Sequence, residues 1–596
     1  MNRRDLLKTS VAVLANYSAN AAPSSKLDLA AVKASPPFLG SGQPGMILDR
    51  EWNGNVCKSR IIYRRERSGA QRVARPDVIL FRIEHSLPPE TRIYGESFQM
   101  LSQTAGTLAK PVDLGYSELQ HYKMPQPDGV RAFSGMLTLT PPGGDTVLLA
   151  FTSCKRFNGR FYLRDGAIDV VLDTEGMEIQ PGETLELEEF TVDSGPNRAV
   201  LLERLAQRMN QNHPPLKFPA PPTGWCSWYC FGPRVTAQQV LDNLDTIAKT
   251  IPALKYVQID DGYQPAMGDW LETGAAFGGN VRGVLKQIRE RGFEPAIWVA
   301  PFIAEAGSHV FQEHPDWFMK DEEGKPLAAN RVTFQGWRRG PWYALDGSHP
   351  DVQRHFETLF RTMRQEWGCT YFKLDANFWG AMHGGRLHDP KATRIQAYRR
   401  GMEAIRRGAG DGFILGCNHP IWPSLGLIHG SRSSGDIKRT WPTIEKIARQ
   451  NLNRNWQNGR LWWNDSDAVV LDGTLPINEF QFHATAVYAS GGMILSGDDL
   501  TKMPPDRMAM LRKLLPPTGV AAAFEDESLR AGVVTLKDLR MLCLFNWTDQ
   551  PQTVSVRFEG RSRLRDYWSG EDLGEHSGTF VAKDLPGRSA RLIEAT

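Results

Sequence analysis

The chain has 596 residues, 41% of them hydrophobic and 23% charged, with 70 basic against 67 acidic side chains. That length exceeds one ordinary hydrophobic core and predicts two or three domains. A formal charge of +3 on this size gives no case for a nucleic-acid or acidic-membrane binder, and no segment carries the roughly 18 unbroken apolar residues that a membrane span needs.

The first 25 residues, MNRRDLLKTSVAVLANYSANAAPSS, hold a twin arginine at Arg3 and Arg4, a short apolar stretch and a small-residue segment ending at Ala21. This resembles a twin-arginine export signal and predicts a periplasmic or secreted protein. Over residues 28–205, alternating segments such as VILFRIEHSL and RAFSGMLTLT, punctuated by Gly, Pro and Asp, predict an N-terminal β-sandwich domain. Prolines 214, 215, 219, 221 and 222 then mark a domain entry.

Over residues 217–515 short strands alternate with helices that close on glycine: ALKYVQIDDGY, NVRGVLKQIRERG, FEPAIWVAPF, HPDVQRHFETLFRTMRQEWG, CTYFKLDAN and KATRIQAYRRGMEAIRRGAG. The cadence predicts a parallel sheet with crossover helices, and nearly 300 residues suit a (β/α)8 TIM barrel. A doubly wound sheet is the alternative, but no glycine fingerprint after a first strand supports a nucleotide site. Residues 520–596 return to strands and predict a small C-terminal β-sandwich domain. The seven cysteines show no zinc spacing, and no metal or other cofactor is expected.

Barrel enzymes carry their chemistry at the C-terminal ends of the strands. The predicted strand ends deliver Asp260 and Asp261, Trp298, Lys373 with Asp375, Cys417, Arg432 with Asp436, and Asn464, Asp465 and Asp467. An aspartate at a strand end is often a helix cap, so it is the recurrence of charge behind apolar strands that points to a site. A rim rich in carboxylates and tryptophan, without metal spacing, fits glycosidic bond cleavage, which needs two carboxyl groups. Lys373 lies two residues before Asp375, on the same side of a strand, and is expected to hold Asp375 ionised as nucleophile. Asp436, in the open loop SRSSGDIKRTW, is the expected acid, for which a raised pKa is required. Arg432 would lower that pKa if the two paired, so it is expected on a substrate hydroxyl or on the nucleophile instead.

The motifs GWCSWY (224–229), QIDDGY (258–263), PAIWVAPF (295–302), YFKLDAN (371–377), GCNHPIWPSLGLIHGSRSSGD (416–436), WWNDSD (462–467) and SGGMILSGDDL (490–500) together resemble the melibiase-type α-galactosidases, glycoside hydrolase family 36 of clan D, which also holds relatives of raffinose synthase. The resemblance implies that Asp375 is the nucleophile and Asp436 the acid/base of a double displacement with retention. It also implies that Asp260 and Asp261 bind the C4 and C6 hydroxyls of a terminal galactose, that Trp228 and Trp298 line the pocket, and that Lys373, Cys417 and Arg432 hold the ring. Expected partners are α-galactoside oligosaccharides or polysaccharide side chains, and the family often assembles through its β domains. Departures such as RSSGD for the commoner RIGPD, and NDSD for NDPD, fall around the 2-position and the leaving-group side. They keep open an α-N-acetylgalactosaminide, a β-L-arabinopyranoside or galactosyl transfer as alternatives.

Overall fold

The structure, a computed structural model, describes residues 29–35, 45–64, 71–72 and 77–596. The stretch read as an export signal lies outside the described residues. The chain divides into two compact units. The first takes the described residues up to Glu96 together with Thr104–Val112 and Gln126–Leu201; the second takes Ser97–Gln103, Asp113–Pro125 and everything from Leu202 onward.

The first unit is antiparallel throughout. A nine-stranded sheet and a four-stranded sheet, the latter ordered 77–84, 167–173, 158–164 and 131–134, face one another. Trp52, Phe151 and Phe190 of the larger sheet meet Phe81 and Phe161 of the smaller at ring-centroid distances of 5.3 to 6.3 Å. Strand alternation turns these rings to the shared inner face, which makes the pair of sheets a sandwich.

The second unit is built on eight parallel strands in chain order: Thr223–Cys226, Tyr256–Ile259, Glu294–Val299, Tyr371–Leu374, Phe413–Gly416, Gly430–Arg432, Trp463–Asp465 and Ile494–Ser496. The eighth pairs with the first, and the Met493 amide donates to Asn464 O at 2.8 Å beside the seventh, so the sheet closes into a barrel. The crossover helices start where the sequence signals them: Thr236 with Gln239 and Thr393 with Gln396 form reciprocal capping boxes, and Asn280 caps Val281–Glu290. Cys226, Ala296, Tyr371, Phe413, Leu415, Met493 and Leu495 fill the interior. Because side chains alternate along a strand, Tyr371, Lys373 and Asp375 point the same way: packed core, then buried cation, then mouth.

Residues from 523 form a six-stranded antiparallel sheet that curls around Leu542, Leu544, Val556, Leu564 and Ile593. It belongs to the same unit as the barrel and is joined to helix Ile477–Ser490, where Trp568 Nε1 donates to Thr485 Oγ1 at 2.9 Å and Arg588 pairs with Glu479 at 3.2 Å. Helix Arg198–Asn212 falls where only strands and a linker were expected. Leu201, Leu205 and Met209, four apart and buried, are the signal that marks it.

Candidate active site

All the charged strand ends converge on one mouth of the barrel. Deepest is an ion pair: Lys373 Nζ lies 2.9 Å from Asp260 Oδ2, with the two residues 5% and 2% exposed. The same oxygen accepts from Gln258 Nε2 at 2.5 Å and from the Cys226 thiol at 3.4 Å. Burial works against the Lys373 charge, but Asp260 outweighs it, and the ammonium stays protonated well above its ordinary range. Asp261, next in sequence, turns to another partner. Arg338 grips it with two N–H groups, Nε at 2.8 Å from Oδ2 and Nη2 on Oδ1, while Gln264 Nε2 donates to Oδ1 at 2.7 Å.

Asp375 follows the fourth strand. Trp298 Nε1, from the neighbouring third strand, donates to its Oδ2 at 3.1 Å, and the Ala376 amide donates to Oδ1 at 2.7 Å. Burial raises the Asp375 carboxyl above its ordinary range; the Lys373 charge and these two hydrogen bonds oppose that shift without reversing it. The expectation that the Lys373 charge holds Asp375 ionised is thereby corrected: that charge opposes the upward shift without overcoming burial, and Lys373 pairs directly with Asp260.

On the opposite wall, Arg432 is the hub. Its Nη2 donates to Asp436 Oδ1 at 3.0 Å and to Gly435 O at 3.0 Å. Its Nη1 reaches Asp467 Oδ1 at 3.2 Å, Tyr229 Oη at 3.3 Å and Cys417 Sγ at 3.8 Å. The Tyr229 hydroxyl donates to Asp467 Oδ1 and stands 3.4 Å from Asp436 Oδ1. Arg432 and Asp436 therefore do pair, against expectation, because four residues on a tight loop bring them together.

The proton affinities divide accordingly. For Asp436, whose side chain is 57% exposed, burial in the protein's field acts upward but the Arg432 and Lys373 charges outweigh it, and the carboxyl lies below its ordinary range. Asp467 is pushed up to about 7 by burial, with Asp436 and Asp465 adding to the shift against Arg432. The raised carboxyl expected at Asp436 is thus found at its neighbour, across a shared phenol.

Three turns aim these groups. Ala376, Asn418 and Asp467 each sit two residues beyond the end of their strand with φ of 54°, 46° and 71°. Non-glycine residues pay roughly 1–2 kcal/mol for this left-handed backbone, and such strain gathers at functional sites. Trp228, on the turn after the first strand, is half-buried and packs against the barrel's apolar core. Sequence reasoning missed Arg338 and Tyr229. Arg338 lies in the long insertion after the third strand, where no periodicity places it, whereas Tyr229 was visible in GWCSWY.

Among the described residues, one group offers metal-type ligands: Asp269, Glu272 and His309, with ligand atoms within 4.8 Å of one another. Asp269 there accepts the amides of His309 at 3.1 Å and Val310 at 3.4 Å, an ordinary helix cap. All seven cysteines are free thiols.

A family model described as Melibiase matches residues 254–403, which carry Asp260, Asp261, Trp298, Lys373 and Asp375. The structure of TtGalA, an α-galactosidase from Thermus thermophilus in complex with p-nitrophenyl α-D-galactopyranoside, superimposes with a TM-score of 0.60 at 25% identity, over 82% of this chain and 98% of that one. Residues 254–403 are thus similar to the melibiases, and the barrel as a whole to an α-galactosidase of that kind. Among curated relatives, the myogenesis-regulating glycosidase of Mus musculus is 29% identical over 154 residues, and α-galactosidase AgaA of Geobacillus stearothermophilus 25% over 167. Each match takes in 26% of this chain and spans only 20% and 22% of those relatives' lengths, respectively.

In this barrel the Lys373–Asp260 pair should behave as one unit. Lys373→Met leaves a buried carboxylate unpaired and is expected to cost about 3–5 kcal/mol. The double variant Lys373→Met/Asp260→Asn should be at least about 1 kcal/mol more stable than the sum of the single losses. Denaturant titration of the four proteins checks this; strictly additive losses would show that the pair is not coupled.

Proposed function

We propose that the protein is a retaining exo-α-galactosidase. It removes terminal α-D-galactosyl residues from oligosaccharides or polysaccharide side chains through a covalent galactosyl-enzyme. The observation that carries this reading is the pairing of two unlike carboxyl environments at one mouth. Asp375 is a fixed, half-buried carboxylate held by Trp298 and Ala376, and Asp436 is an exposed carboxylate backed by a proton-holding partner. Glycoside cleavage with retention requires a nucleophile and an acid/base of this kind. Likeness to TtGalA over nearly all of that chain supports the substrate class.

In this mechanism Asp375 attacks C1 of the galactosyl unit as Asp436 protonates the departing oxygen. The bond to the leaving group breaks and an ester to Asp375 forms. Loss of the negative charge on Asp375 removes the nucleophile's desolvation cost, so burial favours the ester. Asp436, now ionised, takes a proton from water as the water attacks C1; the ester bond from C1 to Asp375 breaks, the Asp375 carboxylate is restored, and galactose leaves with its configuration retained. Trp298 keeps one Asp375 oxygen oriented. The Lys373–Asp260 pair and the Arg338-held Asp261 form a fixed polar floor for the C4 and C6 hydroxyls. A sugar with its C4 hydroxyl turned away would leave buried acceptors unpaired, which is costly. Arg432 and Cys417 face the 2-position. Export by the twin-arginine route would place this activity in the periplasm or outside the cell.

The protein is expected to release nitrophenol from a p-nitrophenyl α-galactoside faster than from the α-N-acetylgalactosaminide or the β-L-arabinopyranoside. Asp375→Ala should lose activity on the order of 10^4-fold and regain it with azide, yielding β-galactosyl azide; unchanged turnover in that variant would refute the assignment.

The pH profile tests the proton-sharing. Asp436 and Asp467 titrate as a coupled pair that holds one proton up to near neutrality. Asp467→Asn removes the negative charge that keeps the proton near Asp436 and leaves Arg432 undivided beside it. The pKa of Asp436 then falls, so the basic limb of kcat/KM should move to lower pH by about one unit or more. A limb that stays in place, or moves up, contradicts the sharing.

A further inference from the structure

Two segments from the N-terminal third, Ser97–Gln103 and Asp113–Pro125, belong to the barrel's unit. Their attachment is specific. The Met100 amide donates to His419 O at 3.0 Å, the Ile421 amide to Phe98 O at 2.9 Å, and Gln99 Nε2 to Tyr122 Oη at 2.8 Å and to Asn418 Oδ1. Asn418 directly follows Cys417. Tyr122 packs on Phe378, three residues after Asp375, at 4.9 Å between ring centroids, and its carbonyl accepts from Thr333 Oγ1 at 2.7 Å.

The other end of the excursion is tied to the Asp436 loop. The Gln450 side chain bridges the two: its Oε1 accepts the Gly435 amide at 2.8 Å, and its Nε2 donates to Leu114 O. Gly435 immediately precedes Asp436, and Leu114 stands two residues before Tyr116. One turn along the same helix, Lys446 Nζ lies 5.5 Å from the Tyr116 ring centroid. Between them, a Cβ at Gly115 would overlap Leu101 O, so only glycine permits this close approach.

What the excursion presents is an exposed aromatic stack. Tyr116 is 46% and Leu119 51% exposed, although both are large hydrophobic residues. The Tyr116 ring nevertheless lies stacked on His121, at 4.3 Å and 18° between planes, and His121 lies 4.4 Å from Phe334. The Tyr116 and His121 rings also pack edge-on against the buried Tyr122, at 6.4 and 4.7 Å, so the Tyr116 face left in water is held in place and pre-organised for a ligand. The Asp436 charge also helps raise the Tyr116 phenol, behind burial as the larger cause, which agrees with their proximity.

We propose that Asp113–Pro125 forms the leaving-group subsite, in which Tyr116, stacked on His121 and flanked by Leu119 and Lys446, receives the sugar ring attached to the scissile oxygen. This rests on Asp436 being the acid/base. The ring bonded to the oxygen it protonates must extend outward past the same loop, onto an apolar edge for its C–H face and onto the Tyr116 hydroxyl and Lys446 ammonium for its hydroxyls. The barrel floor selects the galactose, and this excursion selects what the galactose is attached to.

The test compares α-galactosyl fluoride, whose leaving group is too small to reach Tyr116, with melibiose, whose leaving group is a glucose. In Tyr116→Ala the ratio of kcat/KM for melibiose to that for the fluoride should fall about tenfold, and His121→Ala should lower it in the same direction. His121→Ala and Leu119→Gln carry the test should Tyr116→Ala fail to fold. A ratio within twofold of wild type in the folded variants, with the wild type hydrolysing both substrates, overturns the subsite and leaves the proposed function standing. A wild type that hydrolyses neither overturns both.

Discussion

The site depends on a lysine and an aspartate kept almost wholly out of water. Lys373 and Asp260 come from the fourth and second barrel strands, with the third between them, and meet inside the closed sheet at 2.9 Å. Desolvating two charges costs several kcal/mol for each ion, and the mutual attraction offsets this only when geometry and hydrogen bonds are good. Here Gln258 and Cys226 supply those bonds from beneath. The pair therefore fixes a polar layer directly above an apolar one, and every group at the mouth is positioned relative to it. Asp375 stands one strand repeat above Lys373, Trp298 lies beside Lys373 in register, and Asp261 is left free to be gripped from outside by Arg338.

The two walls of the mouth solve different electrostatic problems. Near Asp375, burial and partial neutralisation by Lys373 make a carboxylate that gains by losing its charge, as a nucleophile does on forming an ester. Near Asp436, a buried arginine is divided among two carboxylates, a phenol and a thiol. Dividing one cation in this way lets a proton reside in the cluster near neutral pH while the exposed carboxylate remains reachable from solvent. The left-handed residues at 376, 418 and 467 turn the chain at three of the four strand ends that form these walls.

Much of this was legible in the sequence because barrels obey period two. Once YFKLDAN was read as a strand, Tyr371, Lys373 and Asp375 had to share a side, and the alternation of strands with capped helices identified the closed parallel sheet. Partner choice was less legible. Which carboxylate Lys373 pairs with depends on the register between strands that are distant in sequence, and no local pattern encodes it. Arg338 stands on an insertion without periodicity. Asp467 was visible as a charged strand end, but its proton affinity follows from enclosure by Tyr229 and Arg432, a property of three loops together. The segment around Tyr116 reads as one more turn between strands, and its place beside Asp436 is set by side chains such as Gln450 and Arg454 that no motif contains.

The central claim is that Asp375 carries the covalent bond while Asp436 moves the proton. It is tested most directly by trapping the ester. Incubation with 5-fluoro-α-galactosyl fluoride, digestion and peptide mass spectrometry should find one glycosyl group per chain, attached to the peptide that contains Asp375. A label on Asp436, Asp467 or another carboxylate, or no ester at all while α-galactosides continue to be hydrolysed, would contradict the account.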